Sequence, residues 1–252
     1  MDELENLKTN LARAGIPARV SNRSFLGNVT GRIVQMDIRK ERGVEELRIT
    51  VPEGEAAVQV LGVDREINQA VLLVREGERE FQERVWNAQK KDWETVTRKT
   101  SGEKRRFLVG MDEAHLFIAQ LSTPATTVKQ AHEGLWPKAL PRGRTAKKLG
   151  VRRQGEWFFT PVSAEERVLV EKHAKKSVAK NVGIGRLRPG LRGRPHVVSE
   201  SVLVPFGESR TEFVRGRVAH PDHHAIQLHD WHSVAMNTEN RETLARFSNW
   251  VD

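Results

Sequence analysis

The 252-residue chain has no cysteine, which removes disulfides and every thiolate metal site of the zinc-finger kind. It has no tyrosine either. No apolar run approaches the roughly 18 residues of a membrane span; the longest, such as Ala70-Val71-Leu72-Leu73-Val74, are strand-sized. The opening Met1-Asp2-Glu3-Leu4-Glu5-Asn6 is acidic and polar, unlike the basic start and apolar run of a secretory signal. A G-x-S-x-G elbow, a P-loop and a thiol nucleophile are also missing. Gly183-Ile184-Gly185 does not continue into a dinucleotide fingerprint. These absences predict a cytoplasmic protein without a membrane partner.

What is present is positive charge, and it is concentrated. Of a net +9, residues 1–120 contribute nothing, with 20 Lys/Arg against 20 Asp/Glu. Residues 138–195 carry 16 Lys/Arg against 4 acids, and residues 196–252 carry 5 against 8. So local an excess suits phosphate neutralisation; its bland counterpart is a solvated linker.

Leu4, Leu7 and Leu11 keep helical spacing until Gly15 and Pro17. From there to about residue 121 the chain alternates as strands do, for example in Gly31 to Ile38 and Glu46 to Val51. The segments 57–61, 69–74, 106–109 and 115–119 add more, the last two flanking a turn at Gly110-Met111-Asp112-Glu113. Thr126 or Thr127 is expected to cap a helix that Pro137 ends. Ser163-Ala164-Glu165-Glu166 forms a capping box, opening a helix expected to reach about Ala179. Strands close the chain, followed by a helix from Thr238. The expected fold is α+β: an antiparallel sheet or small barrel, a few short helices, and a small C-terminal β unit closed by a helix. The expected divisions are 1–123, 124–195 and 196–252.

Within the basic stretch, Pro141-Arg142-Gly143-Arg144 and Arg192-Gly193-Arg194-Pro195 are expected in exposed loops. Glycine between two arginines lets the backbone lie flat while both guanidiniums spread along a groove. Each four-residue segment resembles part of an AT-hook core, although RNA backbones accept such loops as readily. Lys172, Lys176 and Lys180, spaced by four with Lys175 adjacent, would form one helical stripe facing a phosphate ridge. The candidate nucleic-acid contacts are therefore Arg142, Arg144, Lys147, Lys148, Arg152, Arg153, Lys172, Lys175, Lys176, Lys180, Arg186, Arg188, Arg192 and Arg194. Trp157, Phe158 and Phe159 divide between core and base stacking.

The sharpest local feature is His220-Pro221-Asp222-His223-His224 with His229-Asp230-Trp231-His232, five of nine histidines in thirteen residues. Val214, Val218, Ile226, Leu228, Val234 and Met236 are all even-numbered, so the even strand face should point inward. That parity predicts convergence of His220, His224 and His232, opposed across a turn at Pro221-Asp222, with His223, His229 and Trp231 facing outward. Three imidazoles at one point could hold zinc or iron, or act as general acid and base. Their competing role is structural hydrogen bonding. His196 lies where it could join them.

Three functions fit these residues. The leading one is a nucleic-acid-binding protein for DNA or RNA whose central cations contact the backbone. The rival is a metal-assisted nuclease or phosphodiesterase using His220, His224 and His232 for catalysis. The third is a structural or assembly protein, viral in style, with a basic arm.

Overall fold

In a computed structural model, the described residues are 3–23, 34–53, 56–87, 89–100, 102–185, 194–206 and 209–239. They form strands, mostly antiparallel, and four short helices. Among them no sheet closes into a barrel, so the small-barrel alternative does not hold. No helix among them is long and apolar enough to cross a membrane. The chain divides into two compact units. The first comprises the chain up to Met111 with Leu116–Gly134, and the second Asp112–His115 with Leu135–Thr238.

The first unit starts with α1 (Glu3–Arg13), which buries Leu7 and Leu11 as their spacing predicts. Strand β1 (Ala18–Ser21) runs parallel to β3 (Val44–Thr50), and β3 pairs with β2 (Gln35–Glu41). A second sheet orders β4 (Ala56–Asp64), β5 (Gln69–Glu76), β8 (Glu103–Asp112) and β9 (His115–Leu121). Leu11, Leu47, Ile49, Leu72 and Phe107 share one core between α1 and these sheets. Inside this unit Glu76 accepts hydrogen bonds from Val34 N–H at 2.8 Å and Arg105 Nη2 at 2.7 Å. Within the strand-rich stretch expected up to about residue 121, no particular strand was assigned over 79–100, where β6 (Arg79–Asn87) and β7 (Asp92–Thr100) form a hairpin. Trp86 and Trp93 face each other across it, edge to face at 5.6 Å, and both remain about half exposed.

After α2 (Val128–Leu135), the second unit builds one six-stranded sheet in the order β10-β11-β15-β14-β13-β12. Its strands are β10 (Arg152–Gln154), β11 (Trp157–Pro161), β12 (Ala179–Gly183), β13 (Val197–Phe206), β14 (Ser209–His220) and β15 (His223–Met236). The expected middle division 124–195 is thus not separate from 196–252: strands from both interleave in one sheet. One face packs Trp157, Phe159, Val198, Val214, Val218 and Leu228 together. The other packs Val202, Val204, Phe213 and Trp231 against Val170 of α4 (Ala164–Ala174). Trp231 is therefore buried and not outward as parity predicts, because α4 covers the second face. The capping box forms as expected: Glu166 N–H donates to Ser163 Oγ, and Ser163 N–H to the Glu166 carboxylate. The helix expected from Thr238 lies outside the described residues.

Removing one partner of a buried ion pair strands the other charge and costs about 3–5 kcal/mol. Glu76 and Arg105 have side chains only 3% and 9% exposed. Glu76→Ala is expected to lower unfolding free energy by that order, read from urea titrations of the full chain. A loss below about 1 kcal/mol would mean that the pair is as dispensable as a surface one.

Candidate functional site

The histidine site grows from the β14–β15 hairpin. Pro221 and Asp222 make a two-residue turn, so the flanking pair is His220 and His223. Extending the register of Val218 opposite Ile226 would have placed His224 opposite His220. A one-residue shift between Val218 and His220 instead moves His223 into that place and turns the following residue to the other face. Opposed residues of an antiparallel pair share a face, so the rings of His220 and His223 meet, with centroids 5.2 Å apart. His196, just before β13, completes the group, stacked 4.3 Å from His220 and 5.4 Å from His223. One ring nitrogen from each of the three lies within 4.8 Å of the others.

The predicted trio of His220, His224 and His232 does not converge. His232 opposes Val214, six residues along β14 from His220, which is roughly 20 Å at strand rise. There its Nδ1 donates to the Asp230 carbonyl at 2.8 Å. His224 is exposed, and its backbone N–H and Nδ1 both contact Glu113 Oε2 at 2.6 Å. Glu113 belongs to a turn that falls two residues later than Gly110 would suggest, with β8 running on to Asp112. His229 is exposed. Only His220 of the three is in the cluster; His196 was legible as a neighbour, and His223 was missed because a bulge leaves no mark in alternation.

The partners of His220 fix its protonation. Asp222 N–H can only donate, so Nδ1 accepts it at 3.2 Å. The Arg194 carbonyl can only accept, so Nε2 carries the proton and donates at 3.0 Å. These two contacts place the ring hydrogen of His220 on Nε2 and the accepting lone pair on Nδ1. Burial pushes His223 below its ordinary value against the pull of Asp112, while His220 works in the same direction as burial. His223 Nδ1 is buried with no hydrogen-bond partner among the described residues. A Cβ on Gly155 would lie 2.7 Å from His223 Nε2 and 3.2 Å from His196 Nε2, so glycine keeps these two nitrogens clear. Asp222 adds negative charge, 3.9 Å from His220 Nδ1.

Glu113 is depressed below the usual carboxylate range. Its partial burial opposes this, but the backbone and ring hydrogen bonds from His224 outweigh it. At His232 burial dominates and lowers the imidazole, although the Asp230 carbonyl works against it.

The basic residues fall elsewhere. Arg142-Gly143-Arg144 opens α3 (Gly143–Leu149) and is not an extended loop. Gly143 adopts φ +58° there, and Ala146 is buried under the short helix. α4 stops at Ala174, and Lys180 lies on β12 opposite Glu200. The expected stripe of Lys172, Lys176 and Lys180 is therefore broken, because pairing with β13 claims the chain before the helix reaches residue 180. Arg142, Arg144, Lys147, Lys148, Arg152, Arg153, Lys172, Lys175, Lys176, Lys180 and Arg194 are all exposed. Arg186, Arg188 and Arg192 lie outside the described residues. Trp157, Phe158 and Phe159 are buried, so none is available to stack on a base.

No family model, curated protein or solved structure matches the chain, so its function rests on its own residues.

A histidine whose folded pKa lies below its unfolded one leaves the unfolded state as the better proton acceptor. For His232 the resulting contribution is constant above about pH 6.5, and stability falls as pH drops through that value. Urea titrations between pH 7.5 and 5.5 are expected to show this loss, with a shallower slope in His232→Gln. Equal slopes in parent and variant would remove His232 as the cause.

Proposed function

We propose that this protein binds nucleic acid by its phosphate backbone, through the exposed cations of its second unit. The observation that carries the reading is the lack of acid partners for those cations. Of the described candidates, only Arg153 pairs with a carboxylate, Asp112 at 3.5 Å. Arg152 donates to the Gln227 carbonyl and Arg142 to that of Trp136, which leaves their charges uncompensated. Lys180 stands opposite Glu200, but Arg215 engages that carboxylate at 2.6 Å and 2.8 Å. A surface tuned only for solubility interleaves the two signs; here acids and cations do not cancel.

The chemistry follows from charge. Cations that displace condensed counterions from phosphate gain affinity that falls linearly in log–log against salt, with a slope near 0.9 per contact on duplex DNA. Phosphate contacts position a protein without reading sequence, and the burial of Trp157, Phe158 and Phe159 supports a backbone mode over base stacking.

The test is a binding titration on mixed-sequence duplex DNA, single-stranded DNA and RNA at several salt concentrations. Affinity is expected to fall steeply with salt. Replacing Arg142, Arg144, Lys147 and Lys148 together by Gln should weaken binding and flatten the salt slope by up to about 3.6. Because the four are exposed, each change should cost no more than about 0.5 kcal/mol of stability. Absence of binding at low salt, or a variant with an unchanged slope, overturns the reading.

A further inference from the structure

The geometry points to a divalent metal site of the zinc type formed by His196, His220 and His223, beneath the glycine turn at Gly155. This site is independent of the nucleic-acid reading and was not among the residue sets the sequence suggests.

Several observations converge on it. The ring nitrogens of the three residues, brought in by the start of β13, the end of β14 and the start of β15, lie within 4.8 Å of one another. A tetrahedral zinc with nitrogens at about 2.0–2.1 Å needs them a little over 3 Å apart, so the three would have to draw closer to bind it. Gly155 has φ +55°, and its missing side chain leaves space over His196 Nε2 and His223 Nε2. Any other residue there would push a carbon against the atoms that would ligate.

His220 has the arrangement of a ligand already oriented. Metal-bound histidines usually donate the second ring N–H to a carbonyl or carboxylate, which fixes tautomer and ring angle. His220 donates Nε2–H to the Arg194 carbonyl at 3.0 Å, so its lone pair is on Nδ1. Nδ1 now accepts the longer 3.2 Å bond from Asp222 N–H. An ion at Nδ1 would replace that bond.

Three imidazole ligands leave one coordination position for water or the Asp222 carboxylate. Without any thiolate in the chain, the donor set suits zinc, and iron or nickel after it.

The experiment uses the untagged full chain after chelator treatment. Zinc is added alone and binding is followed by calorimetry, with Co2+ substitution as a spectroscopic probe. One equivalent per chain is expected, with visible bands typical of four-coordinate Co2+. His223→Ala is expected to lower zinc affinity at least about 100-fold, beyond the range for outer-shell changes, while His229→Ala leaves it unchanged. Should His223→Ala fail to fold, the imidazole 15N resonances of the unmodified chain decide: zinc should shift those of His196, His220 and His223. No stoichiometric zinc, equal affinity in a folded His223→Ala, or shifts confined to His224, His229 and His232 would overturn the site.

Discussion

The pairing of β14 with β15 governs the second unit. Its register shift between Val218 and His220 determines which side chains meet and which backbone groups lose their ladder partners. Gln154 bridges the two strands beside the shift: its Nε2 donates to the His224 carbonyl at 2.6 Å and reaches the Val218 carbonyl at 3.5 Å. Gln154 is the last residue of β10, so this amide also brings the Gly155 turn over the histidines. A single irregularity thus rotates His223 inward, releases His224 to Glu113, and sets Gly155 where a Cβ would press on the His223 and His196 Nε2 atoms.

Burial on both faces of the sheet explains where the cations are. Phe159, Val214 and Leu228 fill one side and Phe213 and Trp231 the other, so alternating positions in mid-sheet leave no room for a charged row. On the central strand β14, Arg215 lies with its guanidinium 4.6 Å from the Trp231 ring and is paired with Glu200, while Arg210 and Arg217 are exposed. Most of the candidate contact residues lie on α3, on α4 and its C-terminal cap, and on the edge strands β10 and β12.

Local chemistry was legible where one element decides its own outcome. Leu4, Leu7 and Leu11 gave α1, and Ser163 with Glu166 began α4, because spacing and caps act within a few residues. The end of α4 was not legible, since β12 forms only by pairing with β13, twenty residues on. The β6–β7 hairpin was missed although Trp86 and Trp93 mark it, because the strands mix charges into both faces. For the histidines, parity was right about Val218 and Ile226 and failed two residues later. Alternation assumes an unbroken ladder, and a bulge conceals its own position.

The two candidate features share one scaffold. Gly185 and Arg194 flank the stretch 186–193, with its Arg186, Arg188 and Arg192. Gly185 N–H donates to Glu212 at 2.8 Å, and the same buried carboxylate accepts from Ser201 at 2.8 Å. Ile184 N–H donates to the His196 carbonyl at 2.8 Å, and the Arg194 carbonyl accepts from His220 Nε2. Both roots of a cation-bearing segment are therefore tied to β13 and β14, and two of those ties run through histidines of the cluster. An ion joining His196 to His220 would tighten the anchorage of Arg194 and of the strand end at Ile184 together.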